Sequence, residues 1–86
     1  MQKVLARCLN RNQLLILRQV GKGNCPTITA TIRQLAKESS VSISTLKLNA
    51  SILQELNLII FSNYSAVQLT DCGHLVLDIL EGGHEL

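Results

Sequence analysis

Apolar side chains recur along this chain of 86 residues at the spacing of amphipathic helices, in four separate stretches. Apolar positions three or four residues apart lie on one face of a helix and point towards a core. The spacing predicts helices over residues 10–21, 31–39, 42–56 and 71–80. The inward faces of the first three are expected to contain Leu14, Leu17 and Val20, then Ile32, Leu35 and Ala36, then Leu46, Ala50 and Leu53. The last helix is apolar at Leu75, Val76, Leu77, Ile79 and Leu80.

Polar residues at the ends of these stretches strengthen the helix predictions. Asn10 and Gln13 have the spacing of a capping box, in which each side chain accepts a hydrogen bond from the other residue's backbone. Ser42 and Thr70 stand where N-caps of the third and fourth helices are expected. Asn57 suits the left-handed conformation that ends a helix. A short serine-rich turn before residue 42 separates the second helix from the third.

Between the helices the pattern changes to short β-branched and apolar runs that are typical of strands. Residues 27–30 predict one brief strand, and residues 58–62 and 66–69 predict two more, joined by a hairpin tip at 63–65. The expected fold class is α+β, mainly α: a three-helix core, a small antiparallel β-hairpin and a C-terminal helix. We expect a single domain over residues 1–86.

Composition narrows the class of protein. Apolar residues make up 47% of the chain. It contains one Phe (Phe61), one Tyr (Tyr64) and no Trp, so the core must be aliphatic. No apolar run reaches the roughly 18–20 residues of a membrane span. Lys3 and Arg7 interrupt the N-terminal apolar stretch, where a signal peptide needs an unbroken one. We therefore expect a cytoplasmic protein that is not associated with a membrane.

The charges are distributed unevenly along the chain. All eight Lys and Arg residues and only one of the six acidic residues lie within the first 47 positions, although the net charge is +2. Such asymmetry indicates a basic surface that meets a polyanion. Head-to-tail association of two copies is the alternative interpretation.

Four short motifs between residues 31 and 80 occur in an order shared with a known family. Residues 31–36 (TIRQLA) are similar to the first helix of a helix-turn-helix, with Ala36 small enough for a close crossing. Residues 41–46 (VSISTL) are similar to the turn and the start of a recognition helix. Residues 53–59 (LQELNLI) and 69–73 (LTDCG) are similar to the segments before and after a wing. The chain thus resembles the winged helix-turn-helix superfamily of MarR-like and ArsR-like regulators.

This resemblance implies that the helix-turn-helix spans about 31–57, the wing about 58–69 and the C-terminal helix about 71–80. The helix 42–56 would then lie in the major groove of double-stranded DNA, and the helix before it would support it. Contacts to bases or phosphates fall on Ser42, Ser44, Thr45, Lys47 and Asn49, and phosphate contacts on Arg33 and Lys37. The function implied is that of a dimeric transcriptional regulator. Whether Arg11 and Arg18 extend the basic surface is left open.

Two departures from the family pattern leave alternatives open. Ile43 and Leu48 occupy recognition-helix positions that are usually polar, so they would meet either thymine methyl groups or a protein partner. The wing tip at 62–65 has no Lys or Arg, which family wings commonly carry. The alternatives are a winged helix module for protein–protein interaction and a DNA-binding subunit of replication or plasmid machinery with little sequence preference. For Ser42, helix capping alone is a sufficient explanation.

We expect neither an enzyme nor a cofactor. Cys8, Cys25 and Cys72 are an odd set without close spacing, which favours reduced thiols over a disulfide framework. Cys72 and His74 form at most one pair of metal ligands, whereas zinc sites usually have two such pairs, so no metal site is expected. The sequence has no glycine-rich phosphate loop and no activated nucleophile motif.

The last predicted helix is apolar around more of its circumference than one inward face requires. Five of the six residues at 75–80 are apolar. A helix of this kind is either enclosed by the core of a small protein or shared between two copies. We expect a homodimer, because two-fold association is the commonest oligomeric state and suits palindromic DNA sites. Val4, Leu5 and Cys8 are candidates for the same seam.

Overall fold

The computed structural model describes residues 9–23, 26–62 and 65–81. Within these ranges the helices are α1 (Arg11–Gly21), α2 (Ile28–Ser39), α3 (Ile43–Glu55) and α4 (Asp71–Leu80), and the strands are β1 (Ile59–Ile60) and β2 (Gln68–Leu69). The expectation of a mainly helical chain with a small antiparallel sheet is confirmed. Residues 63–64 of the predicted hairpin tip lie outside the described residues. So do Val4, Leu5 and Cys8 of the predicted dimer seam.

The three helix caps predicted from the sequence are confirmed. Asn10 Oδ1 accepts a hydrogen bond from Gln13 N at 2.8 Å, and Gln13 Oε1 accepts one from Asn10 N at 3.1 Å, which completes a capping box at the start of α1. Ser42 Oγ caps α3 by accepting from the backbone N–H of residue 45 at 3.2 Å. Thr70 Oγ1 caps α4 by accepting from Gly73 N at 2.9 Å.

The C-terminal end of α3 is fixed by a residue in the left-handed conformation. Asn57 has φ of 63°, as predicted. Its N–H donates to Gln54 O at 3.0 Å, and Leu58 N donates to Leu53 O at 3.0 Å. These two bonds form a Schellman motif, which satisfies carbonyls at the end of the helix. Ser40, with φ of 59°, begins the short turn of residues 40–42 that joins α2 to α3.

The prediction of a strand at residues 27–30 is wrong. Thr27 is instead the N-cap of α2, and its Oγ1 accepts from Ala30 N at 3.4 Å. Helix α2 therefore begins at Ile28, three residues earlier than predicted. Burial of Ile28 against the core outweighs the strand preference of β-branched residues. Thr27 keeps an extended backbone and forms one antiparallel bridge with Ala66.

The two strands form a small antiparallel sheet with Ile59 opposite Leu69 and Ile60 opposite Gln68. They are shorter than the predicted runs. Helix α4 follows β2 directly and passes very close to the chain that enters β1. A Cβ atom at Gly73 would clash with the carbonyl oxygen of Leu58, so this position in α4 requires glycine.

The core is aliphatic, as composition predicts, and α1 contacts α2, α3, α4 and β2. The inward residues predicted for α3, Leu46, Ala50 and Leu53, are all buried. On α1, Ile16 is fully buried whereas the predicted Leu14 is only partly buried, so the inward face is rotated from the expected one. No helix in the described part of the chain is long and apolar enough to cross a membrane.

Candidate nucleic-acid interface

The outward surface of α3 forms the centre of the candidate interface. Leu46, Ala50 and Leu53 face the core, so the opposite side of this helix lies in solvent. Four of the exposed side chains there, Ser44, Lys47, Leu48 and Ser51, are here named the α3 strip, and the exposed Glu55 follows them at the end of the helix. Intervals of three or four residues align them along the helix. The strip offers two hydroxyl groups, one ammonium group and one apolar side chain.

A second line of exposed polar side chains follows α2. Thr29, Arg33 and Lys37 are spaced by one helical turn each, so they share one side of the helix. We call them the α2 row. Arg33 and Lys37 are the two cations that the sequence predicted for phosphate contacts, and both are exposed.

A shallow groove of about 240 Å³ lies between α2 and α3. Thr29 lines it from α2, Lys47 and Ser51 line it from α3, and Phe61 lines it from the segment after β1. The buried side chains of Ile28, Ile32 and Ala50 also contribute to its surface. Because Thr29 and Lys47 line the same groove, the α2 row and the α3 strip border one another.

The prediction that Asn49 projects outward from α3 is wrong. Its side chain is only 5% exposed. Asn49 Nδ2 donates to Thr45 O at 2.8 Å, and Asn49 Oδ1 accepts from Asn10 Nδ2 at 3.0 Å. Both polar ends of the amide are therefore satisfied inside the protein, as buried polar groups require. Asn49 belongs to the packing between α1 and α3 and not to the candidate interface.

Ser42 and Thr45 are committed to the start of α3. In addition to accepting from Thr45 N, Ser42 Oγ donates to Thr45 Oγ1 at 2.8 Å. The interpretation of Ser42 as a helix cap is confirmed. Thr45 is partly buried, so the α3 strip presents Ser44 and Lys47 more openly than these two hydroxyls.

Sequence reasoning missed Ser51 and Thr29. Ser51 follows Lys47 by four residues and Ser44 by seven, so helical spacing alone indicates that it shares their side. Thr29 was hidden by the mistaken strand at residues 27–30. The hydroxyls of both residues border the groove between α2 and α3.

Two further cations, Arg18 of α1 and Lys22 directly after it, lie in a groove on another part of the surface. Arg18 and Lys22 line a groove of about 300 Å³ together with Glu38 of α2 and Glu81. Arg18 thus lines a groove that contains no residue of the α2 row. Glu55, the last residue of α3, is exposed and carries negative charge at the far end of that helix. The basic character of the candidate interface is therefore concentrated on α2 and the first half of α3.

The hairpin beside the interface is uncharged. Residues 58–69 contain no Lys, Arg, Asp or Glu. Ile60 is 58% exposed on β1, and the hydroxyls of Ser62 and Ser65 bond one another across the loop. The hairpin therefore presents apolar and hydroxyl groups, not cations.

Candidate metal ligands do not gather in the part of the chain that the structure describes. Within residues 9–23, 26–62 and 65–81 there is no group of three or more His, Cys, Asp or Glu side chains that could hold a metal ion. Cys72 is an exposed free thiol on α4. Cys8 and Cys25 lie outside the described residues.

Comparisons with models of protein families, with curated proteins and with solved structures gave no match for this chain. The function is therefore inferred from the chemistry of the α3 strip, the α2 row and the elements that hold them.

Proposed function

We propose that this protein is a winged helix-turn-helix domain that binds double-stranded DNA through α3 and acts as a dimeric transcriptional regulator. The order of elements supports this fold: α1, a bridging segment at Thr27, α2, a three-residue turn, α3, a hairpin and α4. The turn has the length usual between the two helices of a helix-turn-helix. Thr27 bridges Ala66 and so adds a third extended segment beside the hairpin.

The observation that carries the proposal is the exposure of Lys47 and two flanking hydroxyls on α3 beside the α2 row, whose Thr29 lines the same groove as Lys47 and whose cations are Arg33 and Lys37. Helix α3 has 13 residues and is about 20 Å long. The major groove admits a helix of this kind. Ser44 and Ser51 can exchange hydrogen bonds with base edges or phosphates, while Lys47 can reach a phosphate or a guanine. Arg33 and Lys37 suit phosphates beside the groove.

An apolar side of α4 supports dimerisation. Leu75 is 61% exposed. Cys72 and Ile79 lie one turn from it on the same side of the helix, at spacings of three and four residues, and Val76 lies one turn from each of those two. We propose that this side, the α4 face, packs against its counterpart in a second copy. The two α3 helices would then address half-sites one turn of DNA apart, about 34 Å.

The test is the salt dependence of duplex binding. Neutralising phosphates with protein cations releases counterions, so the logarithm of affinity falls linearly with the logarithm of salt concentration, by about 0.9 per phosphate contact. Arg33→Ala, Lys37→Ala and Lys47→Ala are each expected to reduce the slope by about one unit. Arg18→Ala and Lys22→Ala are matched controls, because these exposed cations line a groove that contains no residue of the α2 row or the α3 strip. They are expected to leave the slope unchanged.

Two results would contradict the proposal. The first is that the unmodified chain shows no salt-dependent affinity for duplex DNA. The second is that Arg18→Ala and Lys22→Ala lower the slope of affinity against salt concentration as much as the three interface variants do. The second result would indicate nonspecific attraction by total positive charge.

A second candidate function is an interaction module for another protein. It is favoured by the exposure of Ile43 at 43% and of Leu48 at 62%, both on α3. Exposed apolar side chains on one element can mark a protein interface. If Ile43→Ser and Leu48→Ser abolish a protein complex while duplex binding is absent in the unmodified chain, this function replaces the first.

A further inference from the structure

We propose, on the basis of the proposed DNA-binding function, that Leu48 reads the 5-methyl group of thymine in the major groove. Leu48 is the most exposed of the large apolar residues in the described structure, at 62%. It lies in the middle of the α3 strip, with Ser44 one turn before it and Ser51 one turn after it. An apolar side chain thus occupies the centre of a surface whose other members are polar.

The chemistry of the major groove specifies what this side chain meets. Base pairs display hydrogen-bond donors and acceptors there, and the thymine 5-methyl is the apolar group among them. Leu48 has no hydrogen-bonding atom in its side chain, so it cannot exchange bonds with the other groups on the base edges. Contact with a methyl group removes apolar surface on both sides from water, which is favourable.

The position of Leu48 along α3 agrees with this assignment. Recognition helices contact bases with residues near their N-terminal end. Leu48 is the sixth residue of α3, whereas Glu55 closes the helix with a carboxylate that repels phosphates. Lys47, its exposed neighbour, provides the positive charge on the same strip. Lys47 and Leu48 therefore both lie in the half of α3 from which base contacts are expected.

The other exposed apolar residues of α3 and of the segment that follows it are less suited to the same contact. Ile43 is the first residue of α3, directly after the Ser42 cap, and is 43% exposed. Leu56 lies beyond Glu55, and Ile60 lies on the hairpin. None of these three has an exposed hydroxyl one turn away on each side. Leu48 does, so hydrogen-bonding groups would fix its register on the base pairs.

The experiment compares thymine with uracil, which pairs identically but lacks the 5-methyl group. Duplexes are selected from a random pool with the full-length chain, and each thymine of the selected sequence is replaced in turn by uracil. We expect one thymine per half-site at which the replacement weakens binding about three- to five-fold, the effect of about one buried methyl group. Leu48→Ala is expected to bind the thymine and uracil duplexes equally. Ile43→Ala is the matched control and is expected to retain the difference.

The outcomes separate this inference from the proposed function. If duplexes bind with a steep salt dependence but uracil has no effect at any position, or the selection recovers no preferred sequence, the methyl contact is overturned and the general DNA-binding function stands. If the thymine difference persists in Leu48→Ala, a residue other than Leu48 contacts the methyl group.

If no duplex binds, the methyl contact and the proposed DNA-binding function are both overturned. Loss of self-association in Leu48→Ser, measured by mass in the absence of DNA, would assign the leucine to a protein interface and overturn the inference. Circular dichroism checks that each variant remains folded.

Discussion

Asn10 Nδ2 donates a hydrogen bond to Asn49 Oδ1 at 3.0 Å and so joins the N-cap of α1 to the middle of α3. The two residues are 39 positions apart in the chain. Asn10 also accepts from Gln13 N, while Asn49 donates to Thr45 O. One partly buried network therefore holds both the start of α1 and the helix that carries the candidate interface.

Removing the buried amide at Asn49 is expected to destabilise the protein. Asn49→Ala removes the side-chain hydrogen bonds to the amide of Asn10 and to the carbonyl of Thr45. A typical hydrogen bond contributes about 0.5–1.5 kcal/mol, so we expect the free energy of unfolding to fall by about 1–3 kcal/mol. Urea denaturation measures the loss. Asn10→Ser is the companion variant, because serine keeps the N-cap but cannot reach Asn49.

A double-mutant cycle with Asn10→Ser and Asn49→Ala isolates the bond between the two side chains. Residues that share a hydrogen bond show coupling of about 0.5–3 kcal/mol, whereas independent sites add within about 0.5 kcal/mol. Strict additivity of the two losses would contradict the network.

Gly73→Ala is expected to lower stability although alanine is the better helix former. The gain in helix propensity is about 1 kcal/mol. Against it stands the clash between the new Cβ and the carbonyl oxygen of Leu58, a backbone atom that moves only if α4 separates from the chain before β1. Overpacking of this kind costs about 1–3 kcal/mol, and we expect a net loss in urea denaturation.

The neighbouring residue supplies the control for Gly73. His74 is exposed on the same helix, so His74→Ala is expected to change stability by no more than about 0.5 kcal/mol. If Gly73→Ala were as stable as the unmodified chain, the close approach of α4 to Leu58 would be refuted.

Features of the fold that depend on neighbouring residues in the sequence were easier to predict than those that depend on contacts between distant residues. The caps at Asn10, Ser42 and Thr70 and the left-handed Asn57 depend on residues within a few positions, so they were predictable. The inward face of α3 followed from its spacing for the same reason. The winged arrangement and the role of the α3 strip stay predictions.

The sequence-based prediction placed Asn49 in the interface because of its amide side chain and did not take account of its position in the helix. It lies three residues after Leu46 and four before Leu53, which is the spacing of the buried side. The residue that makes its burial favourable, Asn10, belongs to another helix and leaves no local signal. The strand at residues 27–30 failed similarly, since Thr27 looks like a strand residue until its capping bond to Ala30 N is seen.

Leu75→Glu is expected to convert a dimer into a monomer without unfolding it. Leu75 is 61% exposed, so the charge causes little loss in the isolated chain, but it opposes its counterpart across the proposed α4 face. Sedimentation equilibrium measures the mass. His74→Glu, at another exposed position of α4 outside the α4 face, controls for added charge. A mass that is identical for Leu75→Glu and the unmodified chain would contradict dimerisation through α4.

We propose that duplex DNA binds to the outward side of α3, which the α2 row borders. The most direct measurement is the change in backbone amide chemical shifts of the full-length isotope-labelled chain as a selected duplex is added. We expect the largest changes at residues 44–51 and 29–37, with small changes at 71–80. Changes concentrated on α4, or none at saturating duplex, would contradict it.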